Sequence, residues 1–236
     1  MKALKSCLSA LLRNNAEEGT GIRAEGDTIY LYDVIGDWGV SADAFAKSLA
    51  AMTVEVVHLR INSPGGDVMA GRAMATAIAQ YKGKVIAHID GLCASAATYV
   101  ALAASEVEIS EGAFFMIHNA WSFAIGNKAD MKEMAALLEK IDATIVADYR
   151  RKTGKDEKQI VTWMEAETWF TAEEAKEHGF VDRIVPAAKT SKDSKPWNLA
   201  AYENAPAALT APPANEPDFA EIAASNERRL RLLEAA

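Results

Sequence analysis

Cysteine is scarce in this chain. Two thiols, Cys7 and Cys93, in 236 residues exclude a disulfide framework and favour a reducing, cytoplasmic compartment. Neither belongs to a CxxC or Cys/His cluster, so no metal site is expected, and no cofactor motif stands in for one. There is no GxxxxGK[ST] stretch, so these residues contain no P-loop ATPase. Positive charge is in deficit: the formal net charge of −8 argues against a nucleic-acid partner. No apolar run approaches the roughly 18 residues of a membrane helix. Met1–Leu12 places Leu4, Leu8, Leu11 and Leu12 beside Lys2 and Lys5, which resembles a weak signal peptide. Lys5, Ser6 and Ser9 interrupt the run, and no small-x-small site follows. A short amphipathic helix fits the spacing better than a secretory signal. Proline is nearly missing from the first 185 residues: six of seven lie at or beyond Pro186.

What is present is a regular alternation. Thr28–Asp33 reads as a strand after Gly26-Asp27, and Ser41 as the N-cap of a helix to Ala51 with Asp43 in its first turn. The unit then repeats: strand Val54–Ile61, helix Asp67–Gln80, strand Val85–Asp90, helix Ala94–Ala104. Glu106–Ile109 and Phe114–His118 follow as short strands. Such alternation predicts a parallel α/β sheet with right-handed crossovers. Lys128–Arg151 repeats Met131, Met134, Leu137, Leu138, Ile141, Ile145 and Val146 at helical steps, as an ordinary core-facing helix does. Thr171 and Glu174 form a capping box for a helix ending near Gly179, and Phe180–Val185 closes as a strand. The expected organisation is an N-terminal segment over 1–25, a domain over 26–188, a Pro/Ala-rich flexible linker over 189–220 and a short helical tail over 221–236.

Three strand exits carry chemistry. Asn62-Ser63-Pro64-Gly65-Gly66-Asp67 is a turn whose N–H groups are free of side-chain obstruction and can converge on an oxyanion. Gly91-Leu92-Cys93-Ala94-Ser95-Ala96-Ala97 sets a serine among small residues where a strand gives way to a helix. Met116-Ile117-His118 ends a third run with an imidazole. A serine needs an adjacent base to act as a nucleophile, and His118 at a strand exit can be aimed into a cleft. His58 and His88 sit inside strands, where packing or hydrogen-bonding roles are commoner. His178 sits at a helix C-terminus, where its cation suits the dipole. Taken alone, each feature has an ordinary reading: a helix-capping serine, a tight glycine turn. Together they are the parts of an acyl-transfer site.

These motifs, with the late segment Trp169-Phe170-Thr171-Ala172-Glu173-Glu174-Ala175 through Gly179-Phe180-Val181-Asp182, closely resemble the Clp protease proteolytic subunit, a serine peptidase of the crotonase-like superfamily. The resemblance covers roughly 26–186. It implies a spiral of ββα units with a protruding handle helix at Lys128–Arg151, and assembly into a homo-oligomeric ring. It implies Ser95 as nucleophile, His118 as general base and the N–H groups of Gly66 and Ala96 as oxyanion hole. The third triad member falls at Glu167, where the family usually has Asp; Glu165 competes with it. A substrate peptide would lie extended beside Gly65, Gly66, Asp67, Val68 and Met69 on one side and Trp121, Ser122 and Phe123 on the other. The texture and the tail resemble phage-encoded head-maturation relatives, which implies capsid or scaffold proteins as substrates. The alternative within the family is degradation fed by a separate ATPase unfoldase. A crotonase-type acyl-CoA enzyme, a membrane signal-peptide peptidase with a Ser-Lys dyad and a non-catalytic assembly protein are the readings of other classes.

Overall fold

The computed structural model describes residues 22–187, 197–199 and 201–210. The expected amphipathic helix at Met1–Leu12 and the helical tail over 221–236 lie outside the described residues. A mixed sheet runs in the order β1-β2-β3-β4-β5-β8, built from β1 (Arg23–Glu25), β2 (Thr28–Leu31), β3 (Val56–Ser63), β4 (Lys84–Ala94), β5 (Glu106–Ser110) and β8 (Arg183–Val185). β2 through β5 and β8 pair in parallel, as the alternation predicts, while β1 returns antiparallel on β2. Helices α1 (Ala42–Ala50), α2 (Val68–Ala79) and α3 (Ala96–Leu102) fill the crossovers.

Local sequence explains each start. Ser41 caps α1 through a bond from the Ala44 N–H, and Asp67 caps α2 through one from Ala70. β3 buries every second residue, Val57, Leu59, Ile61 and Ser63, against the helices. Its other face carries His58 and Arg60, which join a polar ladder across the sheet. His58 Nδ1 meets His88 Nε2 at 2.8 Å, and His88 Nδ1 meets the Glu108 carboxylate at 2.8 Å. Arg60 binds Asp90, and Arg183 binds Glu108. The two strand histidines are therefore network residues.

β4 runs longer than the sequence spacing predicts and serves two partners. Its first half pairs β5; its last residues, Leu92–Ala94, pair β6 (Phe114–Ile117). A register shift opposite Ile61/Ser63 on β3 makes this change of partner possible, and the Asn62 side chain fills the gap by accepting the Leu92 N–H at 3.1 Å. The extra strand length converts the expected helix start at Ala94 into a strand end. β7 (Thr168–Thr171) then adds antiparallel to β6.

The long helix α4 (Lys128–Thr153) opens with an Asn127/Asp130 capping box and stops at Gly154 in the left-handed region, φ 69°. Only its C-terminal half enters the core, through Ile145, Val146 and Tyr149. Met131 and Leu137 are exposed, so the N-terminal half projects as a handle rather than lying along the core. α5 (Glu157–Glu165), capped by Asp156, and α6 (Ala172–Glu177), with the Thr171/Glu174 capping box, complete the body.

The expected linker over 189–220 is corrected in part. Within it, Trp197–Leu199 and residues 201–210, including the one-turn α7 (Ala207–Thr210), pack on the body. Leu199 is 3% exposed and joins Leu92, Ala94 and Met116 in a small second core, with Trp169, Trp197, Tyr202 and Leu209 around it. Burial of these large apolar side chains, worth about 1.5–3 kcal/mol each when complete, opposes the chain entropy that a Pro/Ala-rich composition favours. The remaining linker positions lie outside the described residues.

Candidate active site

Strand pairing brings the serine and the imidazole together. β6 lies beside the end of β4 with Ala94 opposite Met116, and the Ser95 N–H donates to the Met116 carbonyl at 3.0 Å. His118, two residues on, therefore lands beside Ser95. Its Nε2 is 2.8 Å from Ser95 Oγ.

The serine sits on a sharp strand-to-helix turn with φ 52°, ψ −122°. That conformation is costly for a residue with a Cβ, about 1–3 kcal/mol. A buried hydrogen-bond chain holds it. Thr98 Oγ1 donates to the Ser95 carbonyl at 2.6 Å, and Thr98 and Tyr149 share a further bond of 2.6 Å from the core end of α4. Thr98 is fully buried, so this chain has no competing water.

The register of β6 on β7 places the carboxylate. Ile117 pairs with Thr168 at the end of the ladder, and the residues just beyond, His118 and Glu167, interact electrostatically. Glu165 is the exposed last residue of α5, off this register. Among the described residues, the only non-glycine positions with positive φ are Ser95 and Glu167, the latter at 47°. Burial pushes the His118 imidazole down to about 4, and the Glu167 carboxylate pulls it partly back. The hydrogen bonds of Glu167 go elsewhere, however: to Trp169 Nε1 at 3.2 Å and to the N–H groups of Glu203 at 3.1 Å and Asn204 at 2.8 Å. The acid is thus electrostatically coupled to the imidazole while a distant segment holds its oxygens.

The glycine turn packs directly on the serine turn. A Cβ on Gly65 would come within 2.6 Å of the Ala94 carbonyl and 2.9 Å of the Ala96 nitrogen. One on Gly66, at φ 145°, would collide with the Ile35 carbonyl at 2.1 Å. Ile35 donates to the Gly65 carbonyl and accepts from Asp67, both at 2.8 Å. In such a parallel bridge the N–H of Gly66 itself points away from Ile35. Ala96 is the first residue of α3, so its N–H has no intrahelical acceptor. Two N–H groups beside a serine hydroxyl can stabilise a developing oxyanion, each worth about 3 kcal/mol in comparable sites.

The proposed substrate edges have mixed geometry. Met69 is 58% exposed at the start of α2, next to Val68. The Asp67 side chain is engaged as the α2 cap, which leaves its neighbours rather than its carboxylate free to line a cleft. Trp121 and Phe123 are exposed and packed edge to face at 5.6 Å, flanking Ser122 in the irregular stretch after His118. His178 caps α6 and stacks on Trp163 at 4.7 Å, away from the serine. Sequence reasoning missed Tyr202 and Asn204 as neighbours of the site. Trp197, Leu199 and Tyr202 in an otherwise small-residue stretch were the available signal.

A serine on a strained strand–helix turn, 2.8 Å from an imidazole and packed against a glycine turn, has the arrangement of a serine acyl-transfer site on an α/β sheet. The chain belongs to the Clp protease family, whose model matches residues 26–188. It is 33% identical over 149 residues to ATP-dependent Clp protease proteolytic subunit 2 of Treponema denticola, a match spanning 62% of this chain and 72% of the relative. It is 31% identical over 140 residues to proteolytic subunit 1 of Corynebacterium jeikeium, spanning 57% and 73%. A ClpP1 point mutant from Listeria monocytogenes shares the fold at TM-score 0.61 and 23% identity, over 68% of this chain and 92% of that one. The protein is a serine-type peptidase, a hydrolase, and the acyl-CoA and Ser-Lys readings are set aside.

Proposed function

We propose that Ser95 is the nucleophile, His118 the general base, Glu167 the acid that orients it, and the N–H groups of Gly66 and Ala96 the oxyanion hole of an endopeptidase that processes capsid or scaffold proteins in phage head maturation. The observation that carries the peptidase assignment is the 2.8 Å contact of His118 Nε2 with Ser95 Oγ on the strained turn. His118 takes the serine proton as Oγ attacks the scissile carbonyl. The oxyanion meets the two N–H groups, and the proton passes to the leaving amine. Water then repeats the sequence on the acyl-enzyme. An extended peptide fits between Met69 and the Trp121–Phe123 edge, adding as a strand. The apolar exposed side chains Ile125, Met131 and Leu137 on and before the handle suit packing of the handle against another ring.

Head maturation draws support from the overall texture of the sequence and from the chain beyond residue 188, outside the family match. Degradation fed by a separate ATPase is the second reading, favoured by the relatives' names. Incubating the protein with candidate capsid and scaffold proteins, without nucleotide, is expected to release discrete fragments by mass spectrometry. Cleavage only with an added unfoldase and ATP would favour the second reading. Among the described residues no helix is long and apolar enough to cross a membrane. The host cytoplasm or an assembling shell is the proposed setting.

The depressed His118 basicity gives a pH expectation. The base works neutral, so kcat/KM for a small peptide should fall as pH drops through a pKa below the 6.5 of free imidazole. The sign for stability is the same. Protonation favours the unfolded chain, so the contribution is complete above about 6.5 and is lost as pH falls toward about 4. An acidic limb at or above 6.5 would show that His118 is more exposed in the working enzyme than in this structure.

A further inference from the structure

Residues 197–199 and 201–210 pack against the candidate active site. Trp197 Nε1 donates to Asn62 Oδ1 at 3.2 Å, beside the glycine turn. Leu199 fills the small core formed by Leu92, Ala94 and Met116, the residues that set Ser95 and His118 in place. Tyr202 reaches furthest in. Its ring stands edge-on to His118 at 5.4 Å and to Trp169 at 5.6 Å. Its hydroxyl donates to the Pro64 carbonyl, immediately before the two glycines, and lies in hydrogen-bonding range of the Ser95 side chain. The next two backbone N–H groups, of Glu203 and Asn204, hold both oxygens of Glu167, and Asn204 Nδ2 donates to the Ala166 carbonyl at 3.0 Å.

One segment therefore touches the serine, the imidazole, the carboxylate and the turn of the oxyanion hole. It brings a phenol, not a peptide carbonyl, to the serine, so it is not placed as a substrate. The contacts are also reciprocal in chemistry: the cleft offers a carbonyl acceptor at Pro64 and an anion at Glu167, and the segment brings an O–H and two N–H groups.

We infer that the groove over Ser95 is a binding site for this chain's own residues 197–210, which act as a tethered competitive inhibitor of the peptidase. This rests on the peptidase reading of Ser95, His118 and Glu167. Displacement of the segment opens the serine to substrate and frees the Glu167 carboxylate to turn to the imidazole. The ligand class is a short peptide with aromatic, aliphatic and phenolic side chains spaced as in Trp197, Leu199 and Tyr202. Tethering makes even a weak peptide effective, since a short linker holds it at roughly millimolar local concentration.

The test compares the full chain with its Tyr202→Ala variant, each at its natural length. The readouts are the rate of fluorophosphonate labelling at Ser95 and the hydrolysis of a small fluorogenic peptide. The variant should label and hydrolyse at least tenfold faster. A synthetic peptide of residues 197–210, added to the variant, should slow both again and raise KM with kcat unchanged. Tyr202→Phe, which keeps the ring but loses the hydroxyl and its bond to Pro64, should fall between. Equal labelling of the full chain and Tyr202→Ala would overturn the inhibitor role and leave the peptidase reading standing. Faster labelling of the variant with no hydrolysis of any peptide would support occlusion while rejecting the peptidase reading. Slower turnover in Tyr202→Ala would make Tyr202 part of the working site and overturn the inference.

Discussion

Ser95→Ala is expected to lower peptide hydrolysis by roughly 10⁶-fold, the scale seen when a serine nucleophile is removed from a working triad. Folding should be spared. The substitution keeps a Cβ at the same backbone angles, so the turn at φ 52°, ψ −122° bears the same strain as before. Thr98 bonds the Ser95 carbonyl rather than its hydroxyl, so the chain to Tyr149 survives. What is lost is the single oxygen that His118 Nε2 contacts. The comparison should be made in the natural chain and again in a Tyr202→Ala background, with unfolding midpoint and oligomer size recorded beside turnover. Undiminished hydrolysis would show that another group does the chemistry. It would also revive the reading of an assembly protein that keeps an idle site.

Glu167→Gln is expected to cost up to about 10⁴-fold, by the precedent of amide replacement in a serine–histidine–carboxylate triad. An amide cannot stabilise the imidazolium that forms when Ser95 attacks, and it can hold the ring in the wrong tautomer. What favours this residue over Glu165 is its place just beyond the Ile117–Thr168 pair and its electrostatic effect on His118. Glu165→Gln, at the exposed end of α5, should change turnover little. Because Glu167 also binds the backbone of residues 203 and 204, its amide variant weakens the grip of the segment over the site. Labelling of Ser95 can therefore become faster while turnover collapses, a split that a merely structural role would not produce. The opposite ranking of Glu165 and Glu167 would place the acid elsewhere.

Much of this architecture was legible from short-range chemistry. Ser41 and Thr171 announced their helices because a cap is a contact within three residues. Strand alternation in β3 and the Gly-rich turn were local as well. Ser95 and His118 stood at strand exits, where pattern and family motif agreed. The misread parts depend on partners far away in sequence. β4 reads as ending near Asp90, since nothing local reveals that Leu92–Ala94 find a second partner in β6. α5 went unread although Asp156, Ile160 and Met164 form a capped amphipathic turn pattern. The handle was ambiguous because apolar spacing marks a helix face without saying what covers it; only the C-terminal half of α4 found a core. The stretch around Tyr202 looked like a linker because composition averages over its few large side chains. Their docking depends on a groove assembled from β4, β6 and β7, which no local window contains.

The most direct test of the central claim is to locate the adduct. The protein, treated with a fluorophosphonate and digested, should carry the label on Ser95 alone, with no label in Ser95→Ala and much slower labelling when His118 is replaced by alanine. A label on another residue, or none on a protein that still hydrolyses peptides, would contradict the assignment of Ser95 and His118 as the working pair.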